Sequence, residues 1–270
     1  MFEKLYRYRI GRLIASVVAR PGISRAAGLF MDSRASKMLI KPFIKKNHIP
    51  MNDVLEEEYP SFNAFFTRRL KPGSRALPAD EQSLASPSDG LLTVYPITKN
   101  GVVTVKGTNY TAETLLESSQ IATNFLGGWM FVFRLTPAHY HRYSYPDSGE
   151  YVFTKNIPGV FHTVRPEALQ GMPVFKKNTR EYAFLNTDHF GAMIYMEVGA
   201  AMVGRIVNPR REGRFEKGEE KGRFEFGGST IILMTEKGAL SPLPEIVSST
   251  ESGAETPVQL HQTVAKRSLS

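Results

Sequence analysis

An α+β fold, a basic helical N-terminal region packed on a mostly antiparallel β domain, is what the sequence predicts. Three observations predict it. Up to about Leu70 the apolar residues recur at helical spacing. From Leu84 onward short apolar runs alternate with Gly, Asn and Pro turn signals. Near the C-terminus two β-rich runs, Phe224–Phe226 and Ile231–Glu236, meet at Gly227-Gly228-Ser229-Thr230. Charge divides the chain in a similar place. Residues 1–50 hold eleven Lys/Arg against Glu3 and Asp32, a net +9, so the other 220 residues of a chain with formal charge +8 carry −1. A positive field confined to one end suits an anionic partner, either lipid or nucleic acid. The absence of cysteine excludes disulfides, thiolate zinc sites and cysteine nucleophiles.

Residues 2–19 read as an amphipathic helix, with Phe2, Tyr6, Ile10, Leu13, Ile14 and Val17 on one side and Lys4, Arg7 and Arg12 beside or opposite them. Its longest apolar run, Leu13–Ala19, is far below the roughly 18 residues needed to span a bilayer. Arginines interrupt any signal-peptide pattern, so none is expected. Pro21-Gly22 is read as the end of this helix. A second helical stretch, about Ile23–Ile44, is expected to break near Asp32-Ser33 and again before Pro42. Its lysines (37, 41, 45, 46) stand among Met38, Leu39, Ile40, Phe43 and Ile44. That pattern fits an interfacial helix pair on anionic lipid, and equally a helical cap with a solvated basic face. Ser61 is the expected N-cap of a short helix whose Phe62, Phe65, Phe66 and Leu70 face the core. Residues 73–85 read as an exposed connection.

Strands are expected at Leu91–Ile97 and Val102–Lys106, with Lys99-Asn100-Gly101 making them a hairpin. After a short helix over Ala112–Ser118, further strands are expected at Trp129–Leu135, Glu150–Thr154, Glu181–Asn186, Ala192–Val198 and Ala201–Val207. Lys217–Arg223 reads as a polar loop. Beyond Lys237 aliphatic residues thin out, and residues 240–270 read as disordered. The organisation expected is therefore a helical region 1–72, a β-rich domain 73–237 and a tail 238–270.

The chemistry centres on Gly228-Ser229. A serine hydroxyl can attack the carbonyl of a preceding glycine, converting the peptide bond to an ester. β-Elimination would then split the chain between Gly228 and Ser229, and the dehydroalanine left behind hydrolyses to a pyruvoyl group. Alone, the tetrapeptide reads first as a tight turn. Asp89, in Ser86-Pro87-Ser88-Asp89-Gly90, reads alone as a turn aspartate. His139 and His141 alternate on an extended segment and so share a face, but no third ligand has suitable spacing and no metal is expected. His162 stands alone in Phe161-His162-Thr163-Val164, more often a structural setting than a catalytic one. Asp89, one of the histidines and Ser229 have the residue types of an acid–base–nucleophile set.

In order along the chain, five segments resemble the phosphatidylserine decarboxylase family of self-processing pyruvoyl enzymes. They are Phe62–Gly73, Ser86–Gly90, Tyr140-His141-Arg142, Lys217–Phe224 and Gly227–Thr230. Each is weak alone; their joint order is specific. The resemblance implies that Ser229 becomes the pyruvoyl cofactor, that Gly228 becomes a new C-terminus, and that Asp89 serves processing. It links His141 to substrate chemistry. The sequence departs from the family at two places. Gly227 stands where many members have leucine, and Ser144 stands where the family often has a second histidine, the processing base. His141 or His162 is expected to serve as that base instead.

The implied reaction is decarboxylation of phosphatidylserine to phosphatidylethanolamine, with Schiff-base formation between the pyruvoyl carbonyl and the substrate amine. No pyridoxal-type phosphate loop is evident. The implied setting is an anionic membrane holding phosphatidylserine, with peripheral attachment at the cytoplasmic face of the cell membrane through residues 1–72. Fragments 1–228 and 229–270 are expected to stay associated, and a homodimer is left open. Two alternatives are a pyruvoyl decarboxylase of another amino acid or amine lipid, and a membrane-docked homologue that never cuts itself. A nucleic-acid-binding protein is disfavoured by the nearly neutral body and the missing recognition motif.

Overall fold

The structure, a computed structural model, describes residues 21–105, 108–160, 162, 173–200, 205–227 and 229–268. The expected helix over 2–19, Gly228 and the first part of the expected strand 201–207 lie outside the described residues. Pro21 opens helix α1 (Pro21–Asp32). Proline has no N–H to leave unpaired, so it suits a helix start, and Pro21-Gly22 begins a helix here. The break at Ser33 is present: its extended backbone leads into a 3-10 turn, Arg34–Leu39. Pro42 causes no break. It sits in the first turn of α2 (Ile40–Asn47), where its missing N–H costs nothing. Ser61 caps α3 (Phe62–Phe66) by accepting the Ala64 N–H at 3.2 Å. Phe62, Phe65 and Phe66 join Met31, Ile40, Ile49, Val54 and Tyr59 in one apolar cluster, against which Phe226 packs.

The body then runs β1 (Ser83–Ala85), β2 (Gly90–Pro96), β3 (Val102–Val105), β4 (Thr108–Thr111), α4 (Ala112–Leu116), α5 (Ser119–Thr123), β5 (Trp129–Leu135), β6 (Arg142–Ser144) and β7 (Gly149–Ile157). After α6 (Val174–Lys177) come β8 (Arg180–Thr187), β9 (Gly191–Gly199), β10 (Ile206–Val207), β11 (Arg214–Phe215), β12 (Glu220–Phe224) and β13 (Ser229–Thr235). The chain closes with β14 (Leu240–Pro242), α7 (Pro244–Glu251), β15 (Thr256–Val258) and β16 (Thr263–Arg267). Eight strands form an antiparallel sheet in the order β11-β7-β8-β9-β13-β5-β2-β15, with smaller sheets β1-β16-β14, β10-β12-β6 and β3-β4. The α+β class is as the sequence predicts.

β13 lies near the middle of the large sheet and is buried on both faces, hence its unbroken run Ile231–Met234. Ile232 and Met234 meet Val103, Leu115, Phe125 and Phe175 on one side. Ile231 and Leu233 meet Tyr143, Phe224, Leu240 and Val264 on the other.

Three expectations are corrected. Residues 99–101 do turn, with the Gly101 N–H on the Thr98 carbonyl at 2.8 Å, but β2 and β3 do not pair. β2 joins β5 and β15 while β3 folds onto β4, so the turn connects two sheets. The polar loop 217–223 contains β12, where Gly222 allows a close approach: a Cβ there would lie 2.4 Å from the Val207 carbonyl oxygen. The expected tail 238–270 is ordered over its described residues, 238–268, where it supplies three strands and a helix. Leu240, Ile246, Val258, Val264 and Ala265 are spaced so that each is buried, and Leu243 and Val247 pack against them half-buried. Average composition hid that spacing. Arg134 also clamps the segment through both oxygens of Glu255, at 3.0 and 2.5 Å.

Candidate active site

Ser229 opens β13, fully buried, with Leu135 opposite on β5 and Gly199 opposite on β9. Side chains alternate along a strand, so Ser229 faces the side of Ile231 and Leu233, where β6 and β12 are layered. Among the described residues its Oγ has no hydrogen-bond partner. An unpartnered buried hydroxyl is costly and needs a reason. Just before it, Gly227 holds φ +140°, a backbone state that suits glycine.

The N-terminal region holds the approach to this corner. Asn63 accepts the Phe226 N–H at 3.0 Å through Oδ1, while its Nδ2 donates to Asp32 at 2.8 Å. The Phe226 ring stands edge-on to Phe62 and Phe66, with centroids 5.0 and 5.3 Å away. Asn63 was not singled out in the sequence, although it lies inside the Phe62–Gly73 segment.

His141 is fully buried, its ring 3.8 Å from that of Phe66, and among the described residues neither ring nitrogen has a partner in hydrogen-bonding geometry. Burial, reinforced by the charge of Arg68, holds its pKa well below the ordinary histidine value, so the ring is neutral. Arg68 is itself buried. Its Nη2 makes two long contacts, 3.4 and 3.5 Å, to the carbonyls of Ala138 and His139, and its Nε and Nη1 are unpaired. Arg68, Arg75, Asp89 and His139 line a cavity of about 190 Å³.

His162 lies on the other flank. Asn178 bonds both its N–H and its carbonyl, and also reaches the Gly199 carbonyl at 2.7 Å, opposite Ser229. Its Nδ1 is unpartnered, and burial followed by the charge of Lys177 lowers its pKa.

Asp89 stands beside Gly90 at the matching end of β2. Its Oδ1 accepts the Leu260 N–H at 2.8 Å and lies 3.8 Å from Arg75. Among the described residues no hydrogen bond joins Asp89 to His141 or to His162. What lies next to Leu260 is His261, whose Nδ1 is 3.1 Å from the Arg75 carbonyl and whose Nε2 is 3.1 Å from Ser144 Oγ. His261 went unnoticed because it falls in the segment read as disordered.

The site thus gathers a buried serine after a glycine corner, a neutral apolar histidine and an arginine-lined cavity. The class is a decarboxylase, for residues 62–265 match the phosphatidylserine decarboxylase family. Curated relatives agree. A phosphatidylserine decarboxylase proenzyme of Ruminiclostridium cellulolyticum is 39% identical over 96% of this chain and 88% of its own length. Those of Clostridium tetani (37%; 97% and 90%) and Clostridium kluyveri (38%; 94% and 87%) are similar. The chain belongs to the phosphatidylserine decarboxylase family.

Proposed function

We propose that the chain converts phosphatidylserine to phosphatidylethanolamine with a pyruvoyl group made from Ser229 by self-cleavage after Gly228. The observation that carries this is the buried, unpartnered Ser229 hydroxyl at the start of a central strand. In the cut, Ser229 Oγ bonds to the Gly228 carbonyl carbon, the C–N bond breaks, and the hydroxyl proton ends on the freed nitrogen. Loss of the Ser229 α-proton then expels the Gly228 carboxylate. Water replaces the nitrogen, which leaves as ammonia. The pyruvoyl group supplies the carbonyl electron sink that decarboxylation needs.

The surrounding residues do the rest. Phe62, Phe66 and Phe226 give an apolar wall that disfavours a charged carboxylate relative to the transition state. Arg68, with two unpaired buried groups, is the cation available to an anionic headgroup. His141 is the proton donor to the α-carbon. An anion arriving beside it raises its proton affinity and opposes the effect of burial. Fragments 1–228 and 229–270 stay together because β13 sits between β5 and β9 while β15 and β16 pair with β2 and β1.

Attachment is peripheral, at the cytoplasmic face of an anionic membrane. No helix among the described residues is long and apolar enough to cross one. Leu29, Phe30 and Met38 are exposed near Lys37 and Lys41, as interfacial docking requires.

Intact mass of the purified protein, with release of CO₂ from phosphatidylserine vesicles, tests the proposal. The wild type should appear as two fragments, and Ser229→Ala as one inactive chain. A cut Ser229→Ala chain rules out the serine mechanism. An active enzyme that needs no lipid substrate points to a different amine.

A further inference from the structure

We propose that His261, acting through the Ser144 hydroxyl, is the proton acceptor for self-cleavage, in place of a histidine at position 144. This rests on the self-cleavage reading above.

All six histidines of the chain are described, so they can be compared. His139 uses Nδ1 to accept the Thr136 N–H at 3.0 Å. His141 and His162 have no carboxylate among the charges acting on them. His48 is exposed, at the end of α2. His189 pairs with Asp147 at 2.9 Å in the β8–β9 turn, at the opposite end of the sheet from Ser229.

His261 alone is arranged as a base. A carbonyl can only accept, so the Arg75 oxygen fixes the proton of the neutral ring on Nδ1. The Nε2 lone pair is thereby free, and Ser144 Oγ–H donates to it. This is a hydroxyl–imidazole–acceptor chain with a backbone carbonyl as the orienting group.

The backbone is committed to this arrangement. His261 holds φ +71°, a left-handed state that a glycine would adopt at less cost. Its N–H bonds the Ser86 carbonyl at 2.9 Å, and the Leu260 N–H before it is held by Asp89. Two backbone bonds hold the residue in that state, which fixes where its ring is presented. Ser144 is buried on β6, in the layer over the face to which Ser229 points. Its carbonyl accepts the Tyr195 hydroxyl at 3.2 Å, and Tyr195 lies opposite Leu233 in the cluster on the face to which Ser229 points.

The charged groups facing the ring are Arg75 and Asp89. Burial lowers the pKa of His261 most, the Arg75 carbonyl opposes that, the Arg75 charge lowers it further, and Asp89 raises it. In the step, Ser229 Oγ, which has no partner among the described residues, first moves into hydrogen-bonding reach of Ser144; its proton then passes to Ser144 Oγ while Ser144 passes its own to Nε2. The imidazolium returns a proton by the same path to the departing Ser229 nitrogen, so no net charge is left.

The test is timed cell-free synthesis of the full chain between pH 5.5 and 8.5, with gel quantification of uncut protein. His261→Gly and His261→Gln should cut about 100-fold more slowly or worse. They should also lose the acidic fall-off expected of the wild type. Added imidazole should partly rescue His261→Gly, and Ser144→His combined with His261→Gly should restore cutting to within about tenfold. In an uncut Ser229→Ala background, His261→Gly should melt no lower than its parent, because glycine suits the backbone there. A folded His261→Gly that cuts at the wild-type rate with the wild-type pH profile overturns the inference and leaves the serine mechanism standing. So does loss of cutting that comes with a lower melting point and no rescue. An uncut wild type, or a cut Ser229→Ala chain, instead overturns the reading beneath both.

Discussion

His141 and His261 lie within one fold yet in opposite surroundings. His141 is sealed against Phe66 with both nitrogens idle and a buried arginine nearby. His261 has both nitrogens engaged, stands at a strained backbone position and shares a loop with a carboxylate's hydrogen bond. An apolar, unsatisfied ring is held ready for a group that has yet to arrive. A fully bonded ring is ready before any substrate exists, which is when a proenzyme must act. On the roles proposed above, two proton-transfer tasks are divided between two histidines of the same neutral charge.

The largest effect that can break this division is in turnover. His141→Gln should leave self-cleavage near the wild-type rate while lowering decarboxylation by roughly 10²–10⁴-fold, the usual worth of a positioned acid. Intact mass and CO₂ release on the same preparation read the two separately. A His141→Gln chain that stays uncut would merge the two roles and end the comparison.

Asp89→Asn sharpens the other half. Asp89 makes no hydrogen bond to His261 among the described residues and acts on it through the Leu260 N–H and its charge, so its loss should slow cutting by roughly tenfold, the worth of one weakened hydrogen bond to a charged acceptor. Normal cutting would remove Asp89 from the processing set. A block as deep as that of His261→Gly would mean direct contact with the ring, contrary to the observed geometry.

How much of this was legible in the sequence depends on whether the signal was local. The strand Trp129–Leu135 and the cap Ser61 matched because their patterns are carried by adjacent residues. Ser229 was legible because a Gly-Ser corner carries its chemistry in two neighbours. His261 was not, since its meaning comes from Ser144, 117 positions away. The sparse aliphatic residues around it also looked like a tail until β15 and β16 joined strands near residues 83–92. The Lys221–Glu197 pair was missed for the same reason. A lysine in a glycine-rich polar run reads as loop, and only the β6–β12 pairing shows it entering the core beside Tyr143 and Tyr195.

The pH dependence of stability offers a smaller, structural check. His139, His141, His162 and His261 all have pKa values lowered in the fold, burial being the largest cause for each. The unfolded chain then binds more protons than the folded one below about pH 6.5, and stability rises with pH across that range. Their contribution is complete above the unfolded pKa and is lost as pH falls through the folded values. Melting of the uncut Ser229→Ala chain should therefore drop between pH 7 and 5. Adding His141→Leu should flatten the slope even if it lowers the melting point, because one buried titrating ring is gone. An unchanged slope would mean that His141 takes up its proton as readily in the fold as in the unfolded chain, and the contrast with His261 would fail.

The smallest effect concerns the exposed side chains of the N-terminal helices. Leu29, Phe30 and Met38 are exposed in a region whose first 50 residues carry net +9. Each basic residue near an anionic surface contributes about 1 kcal/mol at best, decaying over a Debye length of about 8 Å at physiological salt. A fully buried aliphatic side chain contributes about 1.5–3 kcal/mol, and less when it only dips into the interface. Replacing Leu29 and Met38 by serine should therefore weaken sedimentation with anionic vesicles by roughly tenfold, most visibly at high salt where the electrostatic share is screened. Self-cleavage should not change, because neither side chain packs in the cluster that steadies Phe226. Equal sedimentation of the variant and the wild type at high salt would make these helices a cap on the catalytic body, with attachment left to residues 1–20.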